Sequence, residues 1–441
     1  MSVIKNGGPG GASSIADLNQ DGFVDIAFPE GVICWGSEAG FSEERRQQIG
    51  VNGHGVSVTD LNRDGYLDLL YSYRNQSRED KSEGVIVWGA KGGFDVEKRT
   101  TLQLRASYCQ SGNFADFNRD GWLDLIFGDV DSPAVDLFWG GVDGFSDERC
   151  SRLTLNNAST IEIADLNLDG WLDFTLGGGW DSTRFGRPTK QALIVWGSDV
   201  GFSEDHVTQL ESFCSLEQSV ADVNRDGYLD LIMTNYHAYV TRTLQVFIYW
   251  GNEEGSFSES RRTSLPAESS SALTVADLNQ DSWPDLVAVN HILQGDHGVG
   301  TNIFWGSGEG YSDTNRHWFQ TFGSHFSLRW DVGNIYNRSL EEQFISAPLE
   351  CPKGKRPSRI AWNARTPHGT SIRVRIRTAS SREGLAESTW HEPSGNGSSY
   401  EDSGSVLSTS GESRWLQYRV SFRTPDGRST PSLEQVLIDV N

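Results

Sequence analysis

The residues with the clearest chemical purpose are carboxylates set at fixed spacing. A nine-residue pattern, D-x-N-x-D-G-x-x-D, first reads Asp17, Asn19, Asp21 and Asp25. It returns as Asp60, Asn62, Asp64 and Asp68, then as Asp116, Asn118, Asp120 and Asp124. The fourth copy is Asp165, Asn167, Asp169 and Asp173, and the fifth Asp222, Asn224, Asp226 and Asp230. The sixth is Asp277, Asn279, Asp281 and Asp285. Three carboxylates so close in sequence repel one another unless a cation joins them. The first, third, fifth and ninth positions offer side-chain oxygens, and the seventh a backbone carbonyl. Hard oxygen donors on a flexible loop suit Ca2+ better than Mg2+, which demands a tighter octahedron. Gly at the sixth position permits the positive φ that curls the loop. The alternative is a set of Asx-rich turns without metal. Every carboxylate is kept in all six copies, which favours calcium, one ion per loop and five or six in all. In the sixth copy Ser282 replaces the Gly and Pro284 precedes the last Asp, so weaker or altered binding is expected there.

Two more landmarks accompany each loop and define the elements that hold it. One is a Trp-Gly pair ending an apolar run: Trp35-Gly36, Trp88-Gly89, Trp139-Gly140, Trp196-Gly197, Trp250-Gly251 and Trp305-Gly306. The other is Gly-Phe-Ser or a variant, as at Gly40–Ser42 and Gly201–Ser203. One unit therefore reads as four strands. The first ends at the first loop Asp, the second starts at the last, the third runs into Trp-Gly and the fourth follows the Phe. Four short strands in a period of roughly 50 residues describe a propeller blade. The repeated Trp is expected to pack between blades. The fold class is all-β: a β-propeller of six four-stranded blades, with seven as the alternative, followed by a C-terminal β-sandwich. A seventh start is conceivable at Ser324–Asp331, but Asp331–Tyr336 has lost the acidic pattern.

Composition agrees. The 441 residues carry 48 Gly, 15 Trp and a net charge of −23. Such a charge excludes nucleic acid, whose phosphates need clustered Lys and Arg. Six divalent ions would offset about half of it. No apolar run reaches the roughly 18 residues of a membrane helix, so no membrane insertion is expected. Cys34, Cys109, Cys150, Cys214 and Cys351 are odd in number and contain no C-x-x-C pair, which favours free thiols. Residues 1–11 lack the basic and apolar regions of a signal peptide, and a trimmed leader is expected.

The loops, the aromatic-Gly landmark and the period together resemble the FG-GAP or VCBS repeats of integrin α-subunit-type propellers. The resemblance covers about residues 12–325 and implies a propeller with Ca2+ between the first and second strands of each blade. The expected domains are a propeller at 1–325, a closing strand or linker at 326–341 and a β-sandwich at 342–441. Period-two runs at Ile360–Trp362, Ser371–Arg377, Trp415–Phe422 and Val436–Val440 predict the half-buried strands of that sandwich. Its Arg414–Arg419 and Thr430–Glu434 segments resemble fibronectin type III-like or jelly-roll modules. The stripe Arg373, Arg375, Arg377 reads as a solvated strand face.

Strand connectivity places the acidic loops on one face and the links from second to third strands on the other. Those links vary in length and carry Tyr73, Arg74, Trp180, Arg184, Arg187, Tyr236, His237, Tyr239, Arg242, His291 and His297. Function on a repeat scaffold concentrates in such variable loops. His54, Tyr108, Glu217 and Glu268 in the blade-to-blade links could surround a central channel. No Gly-x-Ser-x-Gly, His-Glu-x-x-His or phosphate loop is present, and nothing pairs an acid with a base. The expected function is a calcium-stabilised extracellular or cell-surface binding or adhesion module for a glycan or protein partner. The alternative is a polysaccharide lyase or glycoside hydrolase using the same face.

Overall fold

The computed structural model describes residues 13–73, 82–105, 109, 112–130, 132–156, 160–178, 189–238, 241–323, 339–366, 370–390, 400, 403–407, 413–424 and 430–441. Among them, six four-stranded antiparallel sheets follow the chain in order, each with its strands paired in sequence. Blade one is Ser14–Ala16, Asp25–Phe28, Val32–Cys34 and Arg46–Gln48; blade two is Gly53–Thr59, Asp68–Tyr73, Glu83–Ala90 and Gly93–Gln103. Blade three is Gly112–Ala115, Asp124–Gly128, Val135–Phe138 and Cys150–Leu153; blade four is Ile161–Ala164, Asp173–Leu176, Thr189–Val195 and Val207–Ser212. Blade five is Gln218–Ala221, Asp230–Met233, Thr243–Tyr249 and Arg262–Glu268; blade six is Ser270–Ala276, Asp285–Asn290, Thr301–Phe304 and Arg316–Phe319. This is the expected all-β propeller. The candidate seventh start at Ser324 to Tyr336 lies outside the described residues, as does Tyr108.

The second strands are short apolar runs buried on both faces, such as Leu125–Phe127 and Leu231–Met233. A sheet covered on both faces must be flanked by its neighbours. The apolar clusters accordingly join consecutive blades. One links Ala27 and Ile33 to Leu69 and Val87, and another links Ile126 and Leu137 to Phe174 and Val195. The Trp and Phe landmarks meet across these seams: Trp35 with Phe94 at 6.3 Å, Trp196 with Phe257 at 6.3 Å and Trp250 with Tyr311 at 6.5 Å. The Trp indole N–H is satisfied within its own blade, by Thr100 for Trp88, Ser151 for Trp139 and Thr208 for Trp196. The repeated Trp is thus a packing residue.

The first strands of successive blades are stitched by polar side chains three residues before the loop. Ser14 Oγ donates to Val56 O (2.7 Å), Ser57 Oγ to Gly112 O (3.0 Å) and Asn113 Nδ2 to Ile161 O (3.2 Å). These bonds serve carbonyls of neighbouring blades that the sheets do not pair with one another.

A second compact unit consists mainly of Ser339–Asn441. In one sheet Trp415–Arg423 pairs with Glu341–Ile345, Leu349–Glu350 and Ser371–Ala379; in the other Pro357–Arg365 pairs with Ser405–Val406 and Ser432–Val440. Ile360, Trp362, Val374, Ile376, Leu416 and Val420 form one cluster shared by both sheets. The Arg stripe is half-buried, and Arg377 donates from Nε and Nη2 to Gln417 Oε1 at 2.9 and 2.6 Å. No two of the five cysteines are joined in a disulfide. No helix among the described residues is long and apolar enough to cross a membrane.

Candidate functional site

The six acidic loops share one geometry. In each blade the last residue of the first strand faces the ninth loop position, as Ala16 faces Asp25, Thr59 faces Asp68 and Ala276 faces Asp285. Within the first loop, Asp17 accepts the amides of Asp21 (3.0 Å) and Gly22 (2.9 Å). Asn19 Oδ1 accepts Asp21 N (3.0 Å), and Asp21 Oδ1 accepts Phe23 N (2.9 Å). Asp60 and Asn62 receive Asp64 N in the same way, and Asp116 and Asn118 receive Asp120 N. In the fifth loop Asp226 N donates to Asp222 Oδ1 (3.0 Å) and Asn224 Oδ1 (2.9 Å). In the sixth, Asp281 N donates to Asp277 Oδ1 (3.1 Å) and Asn279 Oδ1 (2.9 Å). The fourth loop differs. Asp169 N donates to Asn167 Oδ1 (3.0 Å), but Asp165 Oδ1 is buried with no hydrogen-bond partner. The sixth position is left-handed throughout, and Ser282 adopts φ 73° where the other loops have Gly. An L-residue pays roughly 1 kcal/mol there.

The third and fifth positions, expected as cation ligands, are bonded to each other. Asn167 Nδ2 donates to Asp169 Oδ2 (3.0 Å), Asn224 Nδ2 to Asp226 Oδ2 (2.9 Å) and Asn279 Nδ2 to Asp281 Oδ2 (2.9 Å). The first three loops make the same pair, Asn19 with Asp21, Asn62 with Asp64 and Asn118 with Asp120. The physical reason is local: the carboxamide N–H is the nearest side-chain donor to the carboxylate two residues on.

The ninth Asp plays a part that the spacing does not reveal. Each is fully buried. Asp124 Oδ2 accepts the amide of Phe117 (3.0 Å), and its Oδ1 accepts that of Gly140 (2.8 Å). Asp25, Asp68, Asp173 and Asp230 do the same with the second loop residue and the Gly of their own Trp-Gly pair. A Cβ on Gly140 would stand 2.0 Å from Leu123 O, so only Gly can bring its amide to the carboxylate. The Trp-Gly landmark is therefore half packing and half loop anchor. Burial pushes Asp68 and Asp124 up to about 7 and Asp173 and Asp230 up to about 8; the loop's own Asp charges add to this and the two amides oppose it.

The fourth position is also left-handed in every loop, with φ between 57° and 62°, though none is Gly. This turn sends the side chain onto the next blade's loop. Gln20 Nε2 donates to Gly65 O (2.5 Å) and Arg63 Nη1 to Gly121 O (3.0 Å). Arg63 lies 5.4 Å from the Trp122 ring, Arg119 4.3 Å from Trp171 and Arg225 5.3 Å from Trp283. Leu168 occupies this position in the fourth loop and is 49% exposed.

The donors of these loops are all hard oxygens. As they stand the carboxylates are turned onto the loop's own N–H groups, and no three acidic, His or Cys side chains among the described residues are arranged to hold a metal ion. An amide occupies one lone pair of each oxygen and leaves the other open. The orphaned Asp165 Oδ1 and the buried ninth carboxylates, each repelled by the first and fifth Asp of its own loop, are groups that a divalent cation would satisfy. The donor set fits Ca2+ in kind.

At the other end of the blades, Tyr236, His237, Arg242, His291 and His297 come together from blades five and six. Tyr236 N and His237 N donate to Cys214 O and Phe213 O, both at 3.2 Å, and His291 N donates to Glu268 O and Ser269 O at 3.2 Å. Cys214 and Ser269 turn the blade-to-blade links with φ of 56° and 53°. Ring centroids stand 6.0 Å apart for Tyr236–His237, 5.2 Å for Tyr236–His291 and 4.7 Å for His291–His297. Arg242 Nη1 donates to Tyr236 O (3.3 Å) and Ser269 Oγ (3.2 Å), and Ser269 Oγ donates to Tyr236 O. Tyr236 and His291 are buried, His237 and Arg242 half-buried and His297 exposed. Burial, then the charge of Arg242, pushes His237 down to about 4. The strand of Tyr73 is described without its side chain, and Arg74, Trp180, Arg184, Arg187 and Tyr239 lie outside the described residues. Of the link residues, Glu217 is buried, and its backbone N–H donates to Thr234 Oγ1 (2.9 Å).

Residues 60–127 and 222–288 match the FG-GAP-like repeat family. No curated protein matches the chain significantly in sequence. Among solved structures, BBS1N in complex with ARL6DN is 11% identical, with a TM-score of 0.44 over 75% of this chain and 87% of that one. Sqt1 of Saccharomyces cerevisiae is 12% identical, with a TM-score of 0.41 over 70% of this chain and 75% of that one. The two matched spans hold the second and third blades' loops and the fifth and sixth, and the same loop and landmarks recur in the blades between and before them: the chain is a β-propeller of FG-GAP-like repeats.

Proposed function

We propose that this propeller is a calcium-stabilised binding module that works outside the cell or at its surface. It recognises a glycan or protein partner through the links at the end of the blades away from the acidic loops. The observation that carries this reading is the meeting of Tyr236, His237, Arg242, His291 and His297, drawn from two blades, at that end. A cluster of rings and one guanidinium on variable links can build an asymmetric site, which six near-identical loops cannot.

Calcium would be held by the first, third, fifth and ninth side chains of each loop. When bound it supplies charge neutralisation. The chain's own residues then fix each loop to its blade, since the ninth Asp already ties the loop to the Trp-Gly turn. The test is a glycan array and a pull-down from the cell surface, each run with calcium and with chelator. Binding that is lost on His297→Ala while melting stays unchanged is the expected result. Binding that survives changes at His237, Arg242 and His297 together would overturn the assignment of this end.

A further inference from the structure

We propose that Arg242 is an anion clamp, and that the ligand of this end is an acidic sugar whose ring carries a carboxylate. This rests on the binding-module reading above. The guanidinium is held from one side only. Nη1 is fixed by Tyr236 O and Ser269 Oγ, and the group lies 5.8 Å from the Tyr236 ring centroid. Its Nε and Nη2 donate to no described residue, and no carboxylate among the described residues pairs with it. Those two nitrogens form the edge that binds a carboxylate with two parallel N–H bonds. An arginine oriented by two oxygens and a ring has already given up the freedom that such binding otherwise costs.

The surroundings favour an oxyanion despite the −23 charge of the chain. Arg242 is a charged group felt at both His237 and Cys214. Exposed charges elsewhere are screened beyond about 8 Å at physiological salt. The cluster around the clamp favours a sugar over an acidic peptide. A peptide is usually held along a strand edge or in a helix groove. Here the neighbours are rings: His297 is exposed and can offer a face to C–H groups and an imidazole nitrogen to a hydroxyl, and the buried His291 and Tyr236 stand behind it.

The test titrates calcium-loaded protein with oligogalacturonate, oligoglucuronate and the methyl esters of both, by calorimetry. The expected result is binding of the acids and a loss of at least about tenfold on esterification, the size of a charge-assisted pair. Arg242→Lys keeps the charge but not the fork and should weaken the acids by a similar factor and the esters by less. Because the ester comparison uses the unaltered protein, it stands even if the variant folds poorly. Acid and ester binding equally, with His297→Ala weakening both, would overturn the clamp and keep the site. No binding of any of these sugars would overturn the clamp. Binding of a poly-Glu peptide that depends on Arg242, without any acidic sugar, would replace the sugar by a protein partner.

Discussion

The two ends of the blades are built on opposite terms. At one end, nine residues repeat six times with nearly the same hydrogen bonds, the same two left-handed positions and the same anchor from the ninth Asp to a Gly. At the other, links of unequal length make contacts that occur once, such as Arg242 over Tyr236 and Tyr236 beside His291. On the proposed function, stability and selectivity fall to separate places. An end that repeats can be stabilised by one kind of ion, whereas an end that varies can distinguish one ligand.

The largest effect belongs to the repeated end. A ligand that binds only the folded state adds about 2.7 kcal/mol per site at a hundredfold excess over its Kd. Excess chelator should therefore lower the melting temperature by many degrees, and native mass spectrometry should count five or six Ca2+ lost. Asp120→Ala should remove part of that response. A melting curve that chelator leaves unmoved would make the loops plain Asx turns and erase the contrast. Next in size is Gly140→Ala. It forces a Cβ against Leu123 O and separates the amide from the buried Asp124. Lost charge-assisted bonding and overpacking together should cost about 3 kcal/mol or more. Gly144→Ala, at φ 75° in open space, is the control and should cost about 1 kcal/mol. Equal losses in urea melts would show that the Gly serves only its own turn.

Acid should act on the variable end in its own way. His237 is held at about 4 in the fold, below the 6.5 of a free imidazole. The unfolded chain therefore takes up the proton first. Stability is intact above about pH 6.5 and is lost as pH falls towards 4. For a half-buried ring the loss should be about 2 kcal/mol. His237→Gln in calcium-saturated buffer should flatten the melting temperature between about pH 6.5 and 4 relative to the parent. Parallel profiles would mean that the imidazole is hydrated in both states.

How much of this is legible in the residues differs between the ends for a physical reason. The loops, strand order and blade register can be read because Asp17 to Asp25 and its copies fix them locally. The Trp is legible as packing. Its Gly reads only as a marker, because the amide it offers to the ninth Asp comes from 11 to 24 residues away and needs the folded sheet. The left-handed fourth position is invisible, since Arg63, Arg119 and Leu168 carry no signal of positive φ. At the variable end, Tyr236, His237, Arg242, His291 and His297 can be suspected from their types. Their meeting depends on Cys214 and Ser269 adopting left-handed turns, which neither residue announces.

The smallest effect tests whether the repeated end is a chain of independent loops or a belt. The fourth-position side chain leans on the following loop in the first three blades and the fifth, and Leu168 interrupts the series. Arg119→Ala removes one exposed cation–ring contact and should cost about 0.5–1 kcal/mol. The reverse change is more telling. Leu168→Arg places a guanidinium at a position already in the required left-handed turn, and the next loop in the series has Tyr228 as its seventh residue. It should recover a similar amount, and it also removes an exposed apolar side chain. If the contacts form a belt, Arg119→Ala should weaken calcium binding at the fourth loop as well as the third, and Leu168→Arg should tighten the fifth. If each loop is independent, both changes should shift the melting temperature slightly and leave the calcium titration of neighbouring loops alone.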